Sequence, residues 1–212
     1  MTTGDEMRDE ILLAALPHVP FDGWSVTALA RGAVDAGHDA AAVKRLFPGG
    51  APTMIAAHNR YADQIMLEEL ARRDLDTMKV RERIITAVRV RLEQNAPHRE
   101  AVRRGLATLA LPHHAALATR LLYRTVDAMW HAAGDTSTDY NFYTKRALLA
   151  GVYSATLMCW LNDNSDDFQA TWAFLDRRVA EVLQVPKVMA RAGRVLGRLP
   201  DPFRLLRTAR ST

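Results

Sequence analysis

The feature that most constrains the fold of this chain is an uncharged segment at residues 147–161. A helix that spans a bilayer requires about 20 apolar residues, and this segment is shorter. We therefore predict a helix buried among other helices of a soluble core. Polar turns flank it at residues 134–139 and 162–167. In the second turn, Asp166 and Asp167 suit the positive end of a following helix.

Helical periodicity covers most of the remaining chain. We expect Pro17 and Pro20 to end the first helix, Ser25 or Thr27 to cap the second, and Gly37 to end it. No segment has the alternation between hairpin turns that predicts strands, so the sequence indicates an all-α protein. The predicted helices span residues 7–16, 25–36, 40–46, 52–73, 80–93, 98–109, 113–133, 139–161 and 168–185.

Composition bounds the class of protein. The chain has 212 residues, 49% of them hydrophobic and 25% charged, which is typical of a globular protein with one core or two small ones. Its single cysteine excludes an internal disulfide and a multi-cysteine metal site. The acidic start lacks the apolar region of a secretory signal and the arginines of a transit peptide. We expect a cytoplasmic, bacterial protein.

The positive charge is concentrated at the end of the chain. Residues 186–212 contain seven Lys or Arg and one Asp, so they carry most of the basic character. Apolar residues recur there at helical spacing, with basic residues along the flank. This pattern predicts a helix in an anionic membrane interface, although it also suits a helix packed on its own domain. The predicted membrane-binding residues are Lys187, Met189, Arg191, Arg194, Val195, Leu196, Arg198 and Leu199.

The first fifty residues resemble a helix-turn-helix unit of three short helices. A DNA-reading helix needs polar and basic side chains at its start. The candidate helix instead begins at Asp39, which repels phosphate, and continues with three alanines before Lys44 and Arg45. We predict a packing unit without DNA binding.

No pattern in the sequence predicts catalysis. The seven histidines are scattered, and adjacent His113 and His114 point about 100° apart on a helix. Gly49 and Gly50 lack the Lys-Ser/Thr sequence of a phosphate loop. We expect no catalytic residue, metal site or cofactor.

An aromatic cluster opens the helix at residues 139–161. Tyr140, Phe142 and Tyr143 cannot all face one core from such close positions, and Lys145 and Arg146 follow them. Exposed aromatic residues beside Arg are typical of protein interfaces. The same residues also suit ordinary packing, and the pattern alone does not decide between the two.

Three segments carry a resemblance to a known family. Residues 129–178 read MWHAAGDTSTDYNFYTKRALLAGVYSATLMCWLNDNSDDFQATWAFLDRR and include the block TW-x-FL-x-RR at residues 171–178. Residues 46–52 read LFPGGAP. In these segments the chain resembles the COQ9 family of ubiquinone-biosynthesis proteins.

The resemblance implies a TetR-repressor-like bundle of about ten helices with a vestigial helix-turn-helix, and a homodimer that does not repress transcription. It also implies an isoprenoid- or quinone-binding pocket among the later helices and a C-terminal amphipathic helix that engages the membrane. The implied partner is the di-iron hydroxylase COQ7 or another hydroxylase of the pathway. The family's partner-binding patch would fall on Met129, Phe142, Tyr143 and Arg146, with Phe142 in place of a frequent tryptophan.

These expectations combine into one hypothesis. The chain is divided into a helix-turn-helix-like unit (1–50), a lipid-binding and dimerisation core (51–185) and a basic amphipathic helix (186–212). It is a non-enzymatic accessory protein, peripheral to the bacterial inner membrane, that presents isoprenoid quinone intermediates or binds phospholipid. The alternative is a TetR-like ligand-responsive transcriptional repressor. Apolar side chains on the later helices suit a cavity wall, and each also suits an ordinary packed core. The predicted lipid-binding residues are Leu121, Leu122, Leu149, Tyr153, Leu157 and Trp172.

Overall fold

The computed structural model of the protein describes residues 3–135 and 140–182. These residues form ten α-helices and no β-strand, which confirms the all-α prediction. The predicted membrane-binding residues and part of the turn before residue 140 lie outside the described ranges. The helices are α1 (Thr3–Ala15), α2 (Val19–Asp22), α3 (Val26–Asp35), α4 (Ala42–Leu46), α5 (Ala51–Ala71), α6 (Val80–Glu93), α7 (Arg99–Leu109), α8 (Ala115–Ala132), α9 (Tyr140–Asn162) and α10 (Gln169–Val182).

The N-terminal helices end near the predicted residues, but α1 begins at Thr3, four residues before the predicted start, and one short helix is additional. The Ser25 hydroxyl accepts a hydrogen bond from the Ala28 amide at 3.2 Å and caps α3. Gly37, with φ of 74°, follows that helix as predicted. The short helix α2 was not predicted, because Pro20 was interpreted as a stop. Proline in the first turn of a helix costs no hydrogen bond, and Pro20 lies there.

An N-terminal core joins α1, α3, α4 and the first half of α5. Ile11, Leu12 and Met54 are at most 1% exposed within it. α1 and α3 cross at Gly32, where an added Cβ atom would lie 2.5 Å from the Ala15 backbone nitrogen. The second half of α5 packs in a different core, through Met66, so this one helix contributes to both cores. The predicted domain division at residue 50 stays a prediction.

A second core joins the end of α5 with α6, α8, α9 and α10. Trp160 of α9 is its largest fully buried side chain. The prediction that the uncharged segment is buried is only half right. Ala147, Gly151 and Ala155 recur along one face of α9 and are exposed, and Met158 continues that face at 54% exposure. Small apolar residues tolerate solvent, so an absence of charge did not guarantee burial.

The turn between α9 and α10 is built around Asp163. Its carboxylate accepts hydrogen bonds from the Ser165 amide at 2.8 Å and from the Thr171 amide at 2.8 Å. Both hydroxyls also donate to it at 2.6 Å. Asp166 and Asp167 form a 3₁₀ turn with φ of 48° at Asp167, and they directly precede α10 as predicted. Asp163 caps the helix through the Thr171 amide.

Candidate functional site

A cavity of about 690 Å³ lies between α5, α6, α7, α8 and α9. That volume is within the range of about 300–1,000 Å³ that small-molecule sites occupy. Most of its wall is apolar, and its rim reaches solvent at exposed residues of α7, α8 and α9. The apolar wall includes Leu92, Val102, Leu106, Leu121, Leu122, Leu157 and Leu161, and the exposed rim includes Ala107, Ala110, Thr119 and Met158.

Opposite the rim, the cavity ends in a group of polar residues, which we call the closed end. They are His58 and Asn59 of α5, Arg91 of α6, Thr125 of α8 and Tyr153 of α9. Four of the five are at most 8% exposed, and Asn59 is partly buried. Such side chains are rarely enclosed unless hydrogen bonds or ion pairs satisfy them. The closed end therefore differs chemically from the rest of the wall.

An ion pair stands behind the closed end. Arg91 donates from Nε to the Asp63 carboxylate at 3.0 Å and from Nη2 to the Asn59 side-chain oxygen at 3.3 Å. The Thr125 hydroxyl donates to Asp63 at 2.9 Å. Burial raises the pKa of the Asp63 carboxyl, and Arg91 and Thr125 offset part of that rise. The charges of Arg91 and Asp63 compensate each other.

The two rings at the closed end are neutral. Burial, with smaller contributions from Arg91 and His98, lowers the pKa of His58 from 6.5 to about 3. Burial and the nearby Asp63 raise the pKa of Tyr153, against an opposing effect of Arg91. The His58 ring lies 5.5 Å from that of Trp24. At physiological pH the cavity thus presents an uncharged imidazole and an uncharged phenol.

A second, smaller cavity of about 260 Å³ lies between α6, α8, α9 and α10. Ile84, Trp130, Leu149 and Val179 contribute to its wall. It contains no counterpart of the polar closed end, apart from Arg81, Asp135 and Lys145 at its edge. The larger cavity is therefore the better candidate for a specific ligand.

An aromatic pair occupies the first turn of α9. The rings of Phe142 and Tyr143 meet edge to face, 5.2 Å apart, and Tyr143 is 68% exposed. Arg146 lies beneath them at 4% exposure, with its guanidinium carbon 3.3 Å from the centre of the Phe142 ring. Its Nε donates to Asp127 at 2.6 Å and its Nη1 to Asp135 at 3.2 Å.

Comparison with known proteins identifies the family. The family model for COQ9 matches residues 115–186, and the model "Ubiquinone biosynthesis protein COQ9, N-terminal domain" matches residues 5–34. The human mitochondrial ubiquinone biosynthesis protein COQ9 is 35% identical over 187 residues, which are 85% of this chain and 59% of that protein. The chain belongs to the COQ9 family.

Other COQ9 proteins show the same relation. The Xenopus laevis protein COQ9-B is 36% identical over 87% of this chain and 65% of its own length. The Drosophila melanogaster protein is 32% identical over 88% of this chain and 58% of its own. The chain thus spans about three fifths of the length of the human relative.

A solved structure confirms the predicted fold class. The TetR transcriptional regulator from Nitrosomonas europaea superposes with a TM-score of 0.68, covering 84% of this chain and 98% of that one. The two sequences are 21% identical, so the likeness shows the fold alone. In this chain Lys44 and Arg45 are exposed on α4, which has only five residues. DNA binding stays an untested alternative.

The apolar side chains of the later helices predicted six lining residues, and the larger cavity contains four of them. Leu121, Leu122, Tyr153 and Leu157 lie in its wall. Leu149 lies one turn before Tyr153 on α9, about 6 Å along the axis, and reaches the smaller cavity instead. Trp172 lines neither cavity.

Trp172 is held on the outside of the second core. Its indole nitrogen donates to the Asp167 carbonyl at 2.8 Å, and the Arg89 guanidinium lies 4.8 Å from its ring. It therefore stabilises the start of α10. Its large apolar ring and its place in the family block did not reveal which way it faces.

Sequence reasoning missed the polar closed end. Arg91 follows Ile84, Ala87 and Val88 on the buried face of α6, so a charged residue on an apolar face was visible. His58 similarly follows Met54 and Ile55 on α5. A buried ionisable residue in an amphipathic pattern is the signal that would have found them.

The predicted partner patch is divided between surface and interior. Tyr143 is exposed and Phe142 partly so, but Met129 is 0% exposed and Arg146 is 4% exposed. The placement of Met129 and Arg146 at a contact surface is corrected accordingly. Met129 packs in the second core, and Arg146 supports the aromatic pair from below.

Proposed function

We propose that this chain acts in ubiquinone biosynthesis as a non-enzymatic lipid-binding protein, which presents an isoprenoid quinone intermediate to a membrane-associated hydroxylase. The observation that carries the proposal is the 690 Å³ apolar cavity with a polar closed end, in a chain of the COQ9 family. The COQ9 relatives are named ubiquinone biosynthesis proteins, which supports the pathway.

Such a carrier is needed because the isoprenoid tail is costly to expose to water. Moving a buried CH₂ group into water costs about 0.8 kcal/mol, so a ten-carbon segment costs roughly 8 kcal/mol to expose. Leu106, Leu122 and Leu157 line the cavity and would replace the lipid environment around the tail. Contact with these side chains would then offset the free-energy cost of moving the intermediate out of the bilayer.

The route to the membrane and to the hydroxylase uses two surfaces. We place the hydroxylase contact on Phe142 and Tyr143, because an exposed aromatic pair anchored from below is typical of an interface hot spot. We place the contact with an anionic inner membrane on the basic residues 187–198. Among the described helices, none has the length and hydropathy to cross a bilayer.

Cavity-filling substitutions test the proposal. Leu122→Trp together with Leu157→Trp should weaken binding of geranylgeraniol, a 20-carbon isoprenoid alcohol, at least tenfold, because the added rings occupy the tail's path. Tenfold corresponds to about 1.4 kcal/mol. Displacement of a fluorescent lipid probe measures the affinity.

The matched control places the same rings outside the cavity. Leu67 and Leu111 are 36% and 46% exposed, so Leu67→Trp with Leu111→Trp should leave affinity unchanged. Equal affinities in both double variants, with unchanged thermal midpoints, would rule out the larger cavity as the lipid site.

A further inference from the structure

We infer that His58 and Tyr153 determine specificity in the larger cavity by hydrogen bonding to an uncharged head group, of the phenol or quinone class, at the closed end. The inference rests on the proposed function, since it requires that the cavity holds a lipid. Beyond that function, we infer that the head group of the lipid enters the cavity first and that charged head groups are rejected.

The two rings are buried polar groups without a partner in the protein. His58 is 8% exposed and Tyr153 is 7% exposed, and both line the cavity. Within residues 3–135 and 140–182, no side chain or backbone group hydrogen bonds to either ring. Neither ring is among the fully enclosed polar groups that lack a partner, so the polar atoms of both rings stay accessible from the cavity. Since the protein itself gives them no partner, a bound ligand can supply the hydrogen bonds that buried polar groups normally make.

The neighbouring polar groups are already satisfied. Arg91 is bound to Asp63 and Asn59, and Thr125 donates to Asp63. The ion pair therefore fixes the closed end without offering a net charge. Among the five residues of the closed end, this leaves His58 and Tyr153 to contact a head group. The unpartnered indole nitrogen of Trp160 is a further hydrogen-bond donor in the cavity wall.

A charged head group is disfavoured at this position. A carboxylate or phosphate would lose its hydration beside the buried Asp63, and it would have to compete with that residue for Arg91. A cation would lose its hydration in the same apolar surroundings. Neither cost arises for a neutral oxygen.

The chemistry of the two rings fits a neutral oxygen ligand. A neutral imidazole has one donor and one acceptor nitrogen, and a phenol can donate and accept. His58 comes from α5 and Tyr153 from α9, so they reach the closed end from different helices. Together they can hold a phenolic hydroxyl or a quinone carbonyl.

The position of these rings also orients the lipid. The polar residues are buried, whereas Ala110, Thr119 and Met158 at the rim are exposed. A head group at the closed end leaves the tail directed towards the rim. The ring is thus shielded while bound, and it becomes available to an enzyme only as the lipid leaves.

A series of probes with matched ten-carbon chains tests the inference. The probes are 4-decylphenol, decylbenzene, decanoate and decyltrimethylammonium, each below its micelle concentration at pH 7. We expect 4-decylphenol to bind at least tenfold tighter than the other three. Tyr153→Phe and His58→Phe should each weaken 4-decylphenol roughly three- to tenfold and leave decylbenzene unchanged.

The control is Tyr123→Phe, which removes a hydroxyl from a ring of α8 that is 43% exposed and lines neither cavity, and it should change no affinity. If decanoate binds as tightly as 4-decylphenol, or if both cavity variants keep the phenol preference, the head-group inference is wrong while the lipid cavity stands. If no probe binds, including decylbenzene, the proposed function itself fails. Tyr153→Phe removes a single oxygen atom, so this variant alone still tests the inference if His58→Phe does not fold.

Discussion

Arg146 is a buried residue whose charge is used inside the protein. It contacts Asp127 and Asp135 and packs under the ring of Phe142. Arg146 and Asp135 have side chains that are 5% and 6% exposed, so this pair is shielded from water on both sides. Substitution of Arg146 therefore reports on stability before it reports on any partner.

Arg146→Ala should lower the free energy of unfolding by about 3 kcal/mol, because breaking a buried ion pair is costly. The matched control is Lys145→Ala, which removes a second cation bound to Asp135 at 2.7 Å but from a side chain that is 39% exposed. We expect a loss of less than about 1 kcal/mol there. Urea denaturation measures both, and equal losses would contradict the structural role of Arg146.

At the same scale, the sequence identified the kinds of residue in the site better than their positions. Tyr153 and Leu157 were found because they are apolar or aromatic residues on a helix that the family places at the pocket. His58 and Arg91 were missed because their burial depends on how α5 and α6 pack against α8. A pattern within one helix does not contain that information.

At the scale of elements, the α9–α10 turn depends on one ionised carboxylate. Burial alone would raise the pKa of Asp163, but hydrogen bonds from Ser165 and Thr171 outweigh it and hold the pKa well below its usual range. The unfolded value is about 3.9. The stability that Asp163 contributes is therefore complete above about pH 4 and is lost as the pH falls towards its folded pKa.

Asp163→Asn should remove this part of the acid sensitivity. We expect the variant to be less stable than the natural protein at pH 7, with the difference narrowing as the pH falls from 5 to 2.5. Asp166→Asn is the control, because Asp166 is exposed and does not cap α10. Thermal midpoints measured across this pH range test the prediction. A constant difference between Asp163→Asn and the natural protein would contradict the role of the ionised Asp163 carboxylate.

The elements themselves were well predicted, since proline, glycine and the capping residues mark helix ends locally. α6 has the predicted bounds, Val80–Glu93, and α7 differs by one residue. The sequence did not distinguish the capping residue of α10, because Asp163, Asp166 and Asp167 all lie within one acidic turn. Only the backbone conformation of the turn decides which of them faces the helix.

At the scale of the whole molecule, the exposed face of α9 suggests a second copy of the chain. We propose a homodimer through Ala147, Gly151 and Ala155, because small residues let two helices approach closely. Ala155→Arg should shift the protein to a monomer in light scattering, whereas Ala107→Arg, an exposed alanine of α7, should not. A natural protein that is monomeric at all concentrations would exclude this dimer.

The whole molecule was predictable as a fold and only partly as a site. Helix periodicity and the family segments were sufficient for an all-α bundle like that of TetR regulators. The cavity arises between five helices, so its volume and its polar end depend on contacts that no single segment encodes. Leu149 is an example: it lies on α9 like Tyr153 and Leu157, but it lines the smaller cavity, whereas they line the larger one.

The most direct test of the central claim is mass spectrometry of organic extracts from the purified protein. We expect a long-chain isoprenoid with a quinone or phenol head group, present in the natural protein and depleted in the Leu122→Trp, Leu157→Trp variant. An extract without isoprenoid, or equal amounts in both proteins, would contradict the claim that this cavity carries the lipid.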